Sequence, residues 1–191
     1  LTNSGKVDFS TGAGVHYRTE KIGAKVYYSL IDQNLAVLRA SYAHSARAIR
    51  EAYEAERPDS SFTLPFSYVI NEPNQLTQHH LAKGEVKWNY SNHANIKFIV
   101  GQQLNRRKEF DVRRNSHKPI INLDLITRDA QLEWKHPDKF ELDGIFGVQY
   151  FYQDNDNNPG TGTTPFIPNY NTSRYSAFLV ESKRIGEDMI E

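Results

Sequence analysis

Residues 81–111 read LAKGEVKWNYSNHANIKFIVGQQLNRRKEFD, and their pattern decides the fold. Ala82, Gly84, Val86, Trp88 and Tyr90 alternate with Lys83, Glu85, Lys87 and Asn89. Asn92-His93-Ala94-Asn95 supplies turn chemistry, after which Ile96, Phe98 and Val100 fall on one face. Lys97, Gln103, Asn105 and Arg107 share the other face, with Ile99 as the apolar exception. Successive side chains point to opposite sides of a strand, so the stretch predicts a hairpin with one apolar and one polar face. The apolar face needs either a protein core or lipid against it.

The same rhythm runs outward in both directions. Lys6 to Thr19 alternates Val7, Phe9, Val15 and Tyr17 with Asp8, Ser10, His16 and Arg18. A turn at Glu20-Lys21-Ile22-Gly23 leads into a strand from Ala24 to about Gln33. Downstream, Ile121 to Lys135 is a strand, His136-Pro137-Asp138-Lys139 a turn, and Glu141 to Gln153 a further strand. Arg174 to Ile185 reads as the last one. Between Ile121 and Lys135 the apolar phase changes near Thr127, from Ile121, Leu123 and Leu125 to Ala130, Leu132 and Trp134. A β-bulge accounts for that change, and so does a strand that leaves one environment for another.

Residues 35–75 break the rhythm. Ser45 to Arg57 is rich in helix formers, with Ile49 and Tyr53 one turn apart, and predicts a helix of about three turns. The expected connections fall into two sets: 20–23, 92–95 and 136–139 are tight, whereas 35–75, 112–120 and 154–172 are long. In an antiparallel series these sets lie at opposite ends, the asymmetry of an outer-membrane barrel with short periplasmic turns and long extracellular loops. Trp88, Tyr90 and Trp134 precede tight turns, where an aromatic girdle belongs.

Composition removes several classes. The 191 residues contain no cysteine, which excludes disulfides and thiolate chemistry, and 23 basic residues balance 23 acidic ones. That balance gives no pull toward nucleic acid. No apolar run reaches the roughly 18 residues of a membrane helix, a fact without bearing on barrels, in which only alternate residues face lipid. Asp154-Asn155-Asp156-Asn157-Asn158 opens like a calcium loop, but Pro159 and Pro165 stand where glycine and glutamate are needed. Gly160-Thr161-Gly162-Thr163-Thr164 lacks the lysine of a phosphate loop. His79 and His80 are adjacent, so a strand sends them to opposite faces and away from a shared metal. No activated nucleophile or acid–base pair stands out, and neither a cofactor nor a metal is expected.

The stretch Gln102 to Asp111, the pair His79-His80 and the run Gly23 to Arg39 together resemble barrel strands of TonB-dependent outer-membrane receptors, over most of residues 20–150. The resemblance implies an all-β, antiparallel up-and-down meander: a partial transmembrane β-barrel with long extracellular loops and a short loop helix. Residues 1–191 would form one segment of such a barrel, without the plug and the remaining strands of the about 22 that close it. It implies a transporter, not an enzyme, that binds a scarce nutrient such as an iron chelate, haem or cobalamin. Its partners would be that small molecule, outer-membrane lipid and TonB acting through the absent plug, and its location the outer membrane.

The ligand of such a receptor arrives from the long-loop side. The expected contacts are Tyr42 and His44 in the first long loop, and Asn105, Arg107 and Glu109 at the top of the central hairpin. Arg107 suits a carboxylate or phosphate, and Tyr42 a flat ligand. The basic stretch from Arg106 to Lys118 reads either as a solvated strand end or as a cationic patch facing the lumen. A soluble all-β module that binds carbohydrate or protein is the competing reading. In it Val86, Trp88, Tyr90, Phe98, Leu142, Phe146 and Val148 pack into a core.

Overall fold

The computed structural model describes residues 3–38, 45–57, 60, 65, 67–112, 117–137, 142–185 and 188–190. Seven long strands and one short strand form a single antiparallel sheet in sequence order. They are β1 (Lys6–Arg18), β2 (Ile22–Ala36), β3 (Asn74–Ser91), β4 (Ala94–Phe110), β5 (Ile121–Lys135), β6 (Leu142–Asn157), β7 (Tyr170–Ile185) and β8 (Asp188–Ile190). The sheet is an up-and-down meander, and β1 and β8 stand at opposite edges without pairing, so it is open. Tight connections do lie at one end and long ones at the other.

One helix, α1 (Ala46–Glu54), sits in the first long connection. Ser45 caps it by accepting a 3.1 Å hydrogen bond from the Ala48 backbone N–H, which satisfies one of the open donors of the first turn. It is slightly shorter than expected, and no residue of it is buried.

Register fixes the two faces. Tyr17, Ala24, Val86, Phe98, Leu132 and Val148 follow one another across β1 to β6 in a single row. Val15, Val26, Gly84, Val100, Ala130 and Tyr150 form the next row. The opposite face carries Lys25 beside Glu85, and Lys97 beside Glu133.

Among the described residues no hydrophobic core lies behind the apolar rows. The buried hydrophobic residues among those described are Ala36 and Ala94, whereas Val26 is 64%, Val86 49%, Trp88 50% and Phe98 45% exposed. None of the residues expected to form a soluble core is covered by a second layer of described residues. Along β3 and β4 the polar-face residues Glu85, Lys87, Lys97 and Ile99 are half-buried, while their apolar-face neighbours Val86, Trp88, Phe98 and Val100 are exposed. In this central hairpin the polar side is therefore better shielded than the apolar side, the reverse of a soluble layer.

Several boundaries differ from expectation. β3 begins at Asn74, β2 runs to Ala36, β6 continues to Asn157, and β7 starts at Tyr170. Most of the added residues are polar, such as Gln75, Thr77 and Gln78, and polar residues hide a strand from hydrophobic alternation. Their ladders are nonetheless continuous, from Leu35↔Gln75 to Gln75↔Glu109. Of the two readings of the phase change near Thr127, the bulge is absent: β5 keeps unbroken register with β4 and β6 throughout. The one register shift in the β3–β4 ladder lies at the hairpin tip, between Asn89 and Ser91. The phase change in β5 is therefore a change in which face is apolar, so Ile121, Leu123 and Leu125 stand on the polar face. The calcium-like run is also explained, since Asp154 to Asn157 is strand and sends its carboxylates and amides to opposite faces.

Candidate functional site

At the long-loop end of the polar face, register places Gln75, Thr77 and His79 beside Glu109, Arg107 and Asn105. On the other flank of β4 stand Ile121, Leu123 and Leu125. A polar strip thus abuts an aliphatic strip, both on rigid strands.

The polar strip is internally bonded. Arg107 Nη2 donates to Gln75 Oε1 at 3.0 Å and also to Glu109 Oε1. Asn105 Nδ2 lies 3.3 Å from His79 Nδ1. These bonds fix the guanidinium in one orientation, and the Glu109 carboxylate at its side offsets part of its charge. Three of the five expected contacts, Asn105, Arg107 and Glu109, are therefore neighbours. Tyr42 and His44 lie outside the described residues.

Adjacency in sequence does separate the two histidines. His79 faces Asn105 on the polar side, while His80 Nδ1 is 2.8 Å from the Tyr28 hydroxyl on the apolar side. Among the described residues no group of three metal-ligating side chains converges.

The connection from β6 to β7 forms the rim of the site, and it is pinned at many points. The Asn157 backbone N–H and Nδ2 both donate to Asn169 Oδ1, at 2.8 and 2.7 Å, and Nδ2 also reaches the Ile167 carbonyl at 2.8 Å. Asn155 Nδ2 donates to the Pro168 carbonyl at 3.2 Å, and Thr163 Oγ1 to the Ile120 carbonyl at 2.6 Å. Asn158 N–H donates to the Asn122 carbonyl at 2.8 Å. Gly160 turns the chain at φ +98°, a conformation that residues with a Cβ rarely adopt. Between this loop and β4–β5 lies a cavity of about 330 Å³, lined in part by Arg107, Ile121, Leu123, Asn157, Thr163 and Phe166. Phe166 is 98% exposed on that rim.

Sequence reasoning found Arg107 but not the loop that faces it. The signal was present in the phase change of β5. Three consecutive aliphatic residues on this face, Ile121, Leu123 and Leu125, mark an apolar patch.

Near the tight-turn end, Lys25 pairs with Glu85 at 3.4 Å, Lys97 with Glu133 at 3.1 Å and Lys135 with Asp143 at 2.9 Å. Such part-exposed pairs stabilise little singly, but they order the face. Just beyond β5, outside the strands, His136 Nε2 contacts both carboxylate oxygens of Glu181, at 3.0 and 3.1 Å. Its pKa is raised above the ordinary 6.5 by the bond to the Pro137 carbonyl and then by Glu181. A raised folded pKa stabilises fully below 6.5, and that stabilisation is lost as pH rises through the folded value. Unfolding midpoints measured from about pH 6 to 8 should therefore fall for the native chain and fall less for Glu181→Gln. Equal slopes would remove the pair as a source of pH dependence.

No protein-family model, no curated protein and no solved structure matches the chain.

Proposed function

We propose that the chain is part of the wall of an outer-membrane β-barrel receptor of the TonB-dependent kind, which binds a scarce nutrient and imports it. The nutrient class is that of iron chelates, haem or cobalamin, and the chain acts in transport rather than catalysis. The sheet would curl toward its better-shielded polar face, which becomes the lumen, and edges at β1 and β7–β8 would join further strands. TonB would act through a plug.

The observation that carries this reading is the uncovered apolar face. On β4 it extends from Ile96 to Leu104, interrupted only by Gln102 among the even positions. At about 3.4 Å per residue that is roughly 27 Å along the strand, or about 20 Å of membrane depth at a 40° tilt, close to the band of known barrels. Polar groups within the face are paired or stand at its margins. Trp134 Nε1 donates to the Tyr90 hydroxyl at 2.7 Å, and the Trp88 ring lies 5.7 Å from that of Tyr90. One row inside Leu104, Arg128 Nε donates to Gln102 Oε1 at 3.2 Å, and the Arg128 Cζ lies 6.0 Å from the Tyr152 ring centroid. Aromatic groups flank the apolar rows on both sides, as membrane interfaces favour.

The chain's two tryptophans, Trp88 and Trp134, both stand on this face, so its own fluorescence tests the reading. In bilayers containing brominated lipid, the emission should be strongly quenched, and aqueous acrylamide should quench it weakly. Strong acrylamide quenching with no response to brominated lipid would sink the membrane assignment.

A further inference from the structure

The geometry points to the cavity beneath the β6–β7 loop as a binding site for a small amphipathic anion, an apolar body carrying one carboxylate. The inference rests on the loop and the cavity, and it stands whatever covers the sheet's apolar face.

The cavity volume of about 330 Å³ suits a molecule of one ring or a short branched chain. Ile121 and Leu123 supply an apolar floor on the polar side of the sheet. Phe166 stands at the rim with 98% of its surface open, so it contributes almost nothing to the fold as it stands. Exposing an aromatic ring in water is unfavourable, and here the surrounding loop is held by side-chain and backbone hydrogen bonds at Asn155, Asn157, Asn158 and Thr163. The ring is thus presented on a pre-ordered support, which limits the entropy lost when a ligand covers it.

Arg107 is the charged residue in the cavity wall, and it selects the ligand's sign. Gln75 and Glu109 both dock on Nη2, which holds the guanidinium in place. A guanidinium carries five donors, so a carboxylate can be received by the remaining edge. Glu109 makes the site selective but weak, because its carboxylate competes for the same cation. The site is therefore suited to capture and release, with Glu109 setting the balance.

Benzoate and its neutral counterpart benzyl alcohol are the probes, followed by ligand-observed NMR on the full chain in micelles, with empty micelles as control. Benzoate should bind at least about tenfold more tightly than benzyl alcohol, a difference that Arg107→Gln should abolish. Glu109→Gln should tighten benzoate binding several-fold by removing the competing carboxylate. Phe166→Ala should weaken both probes. The effects of opposite sign at Arg107 and Glu109 cannot both arise from misfolding. Equal binding of the two probes, no binding of either, or weaker benzoate binding in Glu109→Gln would each overturn the assignment.

Discussion

Phe98→Arg should prevent the chain from assembling in a bilayer, whereas Gln103→Arg should leave assembly intact. The two positions are five apart on β4, so they stand on opposite faces. Phe98 lies in the second row of the apolar face, between Val86 on β3 and Leu132 on β5 and one row short of the middle at Val100. An arginine on the lipid face of a barrel wall costs about 2–4 kcal/mol at the midplane and less toward the margins, so at Phe98 the cost should be about 1–3 kcal/mol. Gln103 belongs to the polar face, where an arginine meets water and the effect should stay within about 0.5 kcal/mol. If the sheet instead lived in water, the expectation would reverse. Phe98 is 45% exposed, so an arginine there would improve solubility at little cost. Urea titration of bilayer-embedded chain, read by heat-dependent gel mobility, separates the cases. Insertion of Phe98→Arg at the native level would rule out lipid on this face.

How much of this was legible in the sequence depends on what each face does. Where one face is apolar and the other polar, alternation is clean, and the central hairpin and the positions of the turns were readable from Val86, Trp88, Ile96 and Phe98. Where both faces are polar, nothing in side-chain pattern marks a strand. Gln75 to Gln78 and Asp154 to Asn157 are held by backbone ladders and by bonds such as Gln78 Nε2 to Asp32 Oδ2 at 2.9 Å, which only the register reveals. β5 was ambiguous in another way. A switch of apolar phase is what a bulge produces, yet it is also what a strand shows when it leaves one covered surface for another, and the sequence does not distinguish them. Of the site, Arg107 and its neighbours were readable as an odd-numbered polar arc. The facing loop was not, because Asn157, Thr163 and Phe166 come to Arg107 through the β5–β6 register and not through spacing.

The second large effect is expected at Gly147, which illustrates the same dependence on register. Gly147 on β6 pairs with Phe178 on β7, and the Phe178 ring lies across it. A Cβ at position 147 would stand 2.2 Å from Phe178 Cζ and 2.4 Å from Cε1, far inside contact distance. An aromatic ring laid over a strand glycine covers backbone that the missing side chain leaves bare, a known way of recovering the stability that glycine forfeits. Gly147→Val must therefore push the ring off its seat, with an expected loss of about 2–3 kcal/mol. By intrinsic preference the same change should stabilise, because valine favours strands and glycine does not. The two effects separate in a double-mutant cycle. In a Phe178→Ala background the obstacle is gone, so Gly147→Val should become neutral or stabilising, and the pair should couple by more than about 1 kcal/mol. Additive losses, with Gly147→Val equally harmful in both backgrounds, would show that something other than the ring holds this position to glycine.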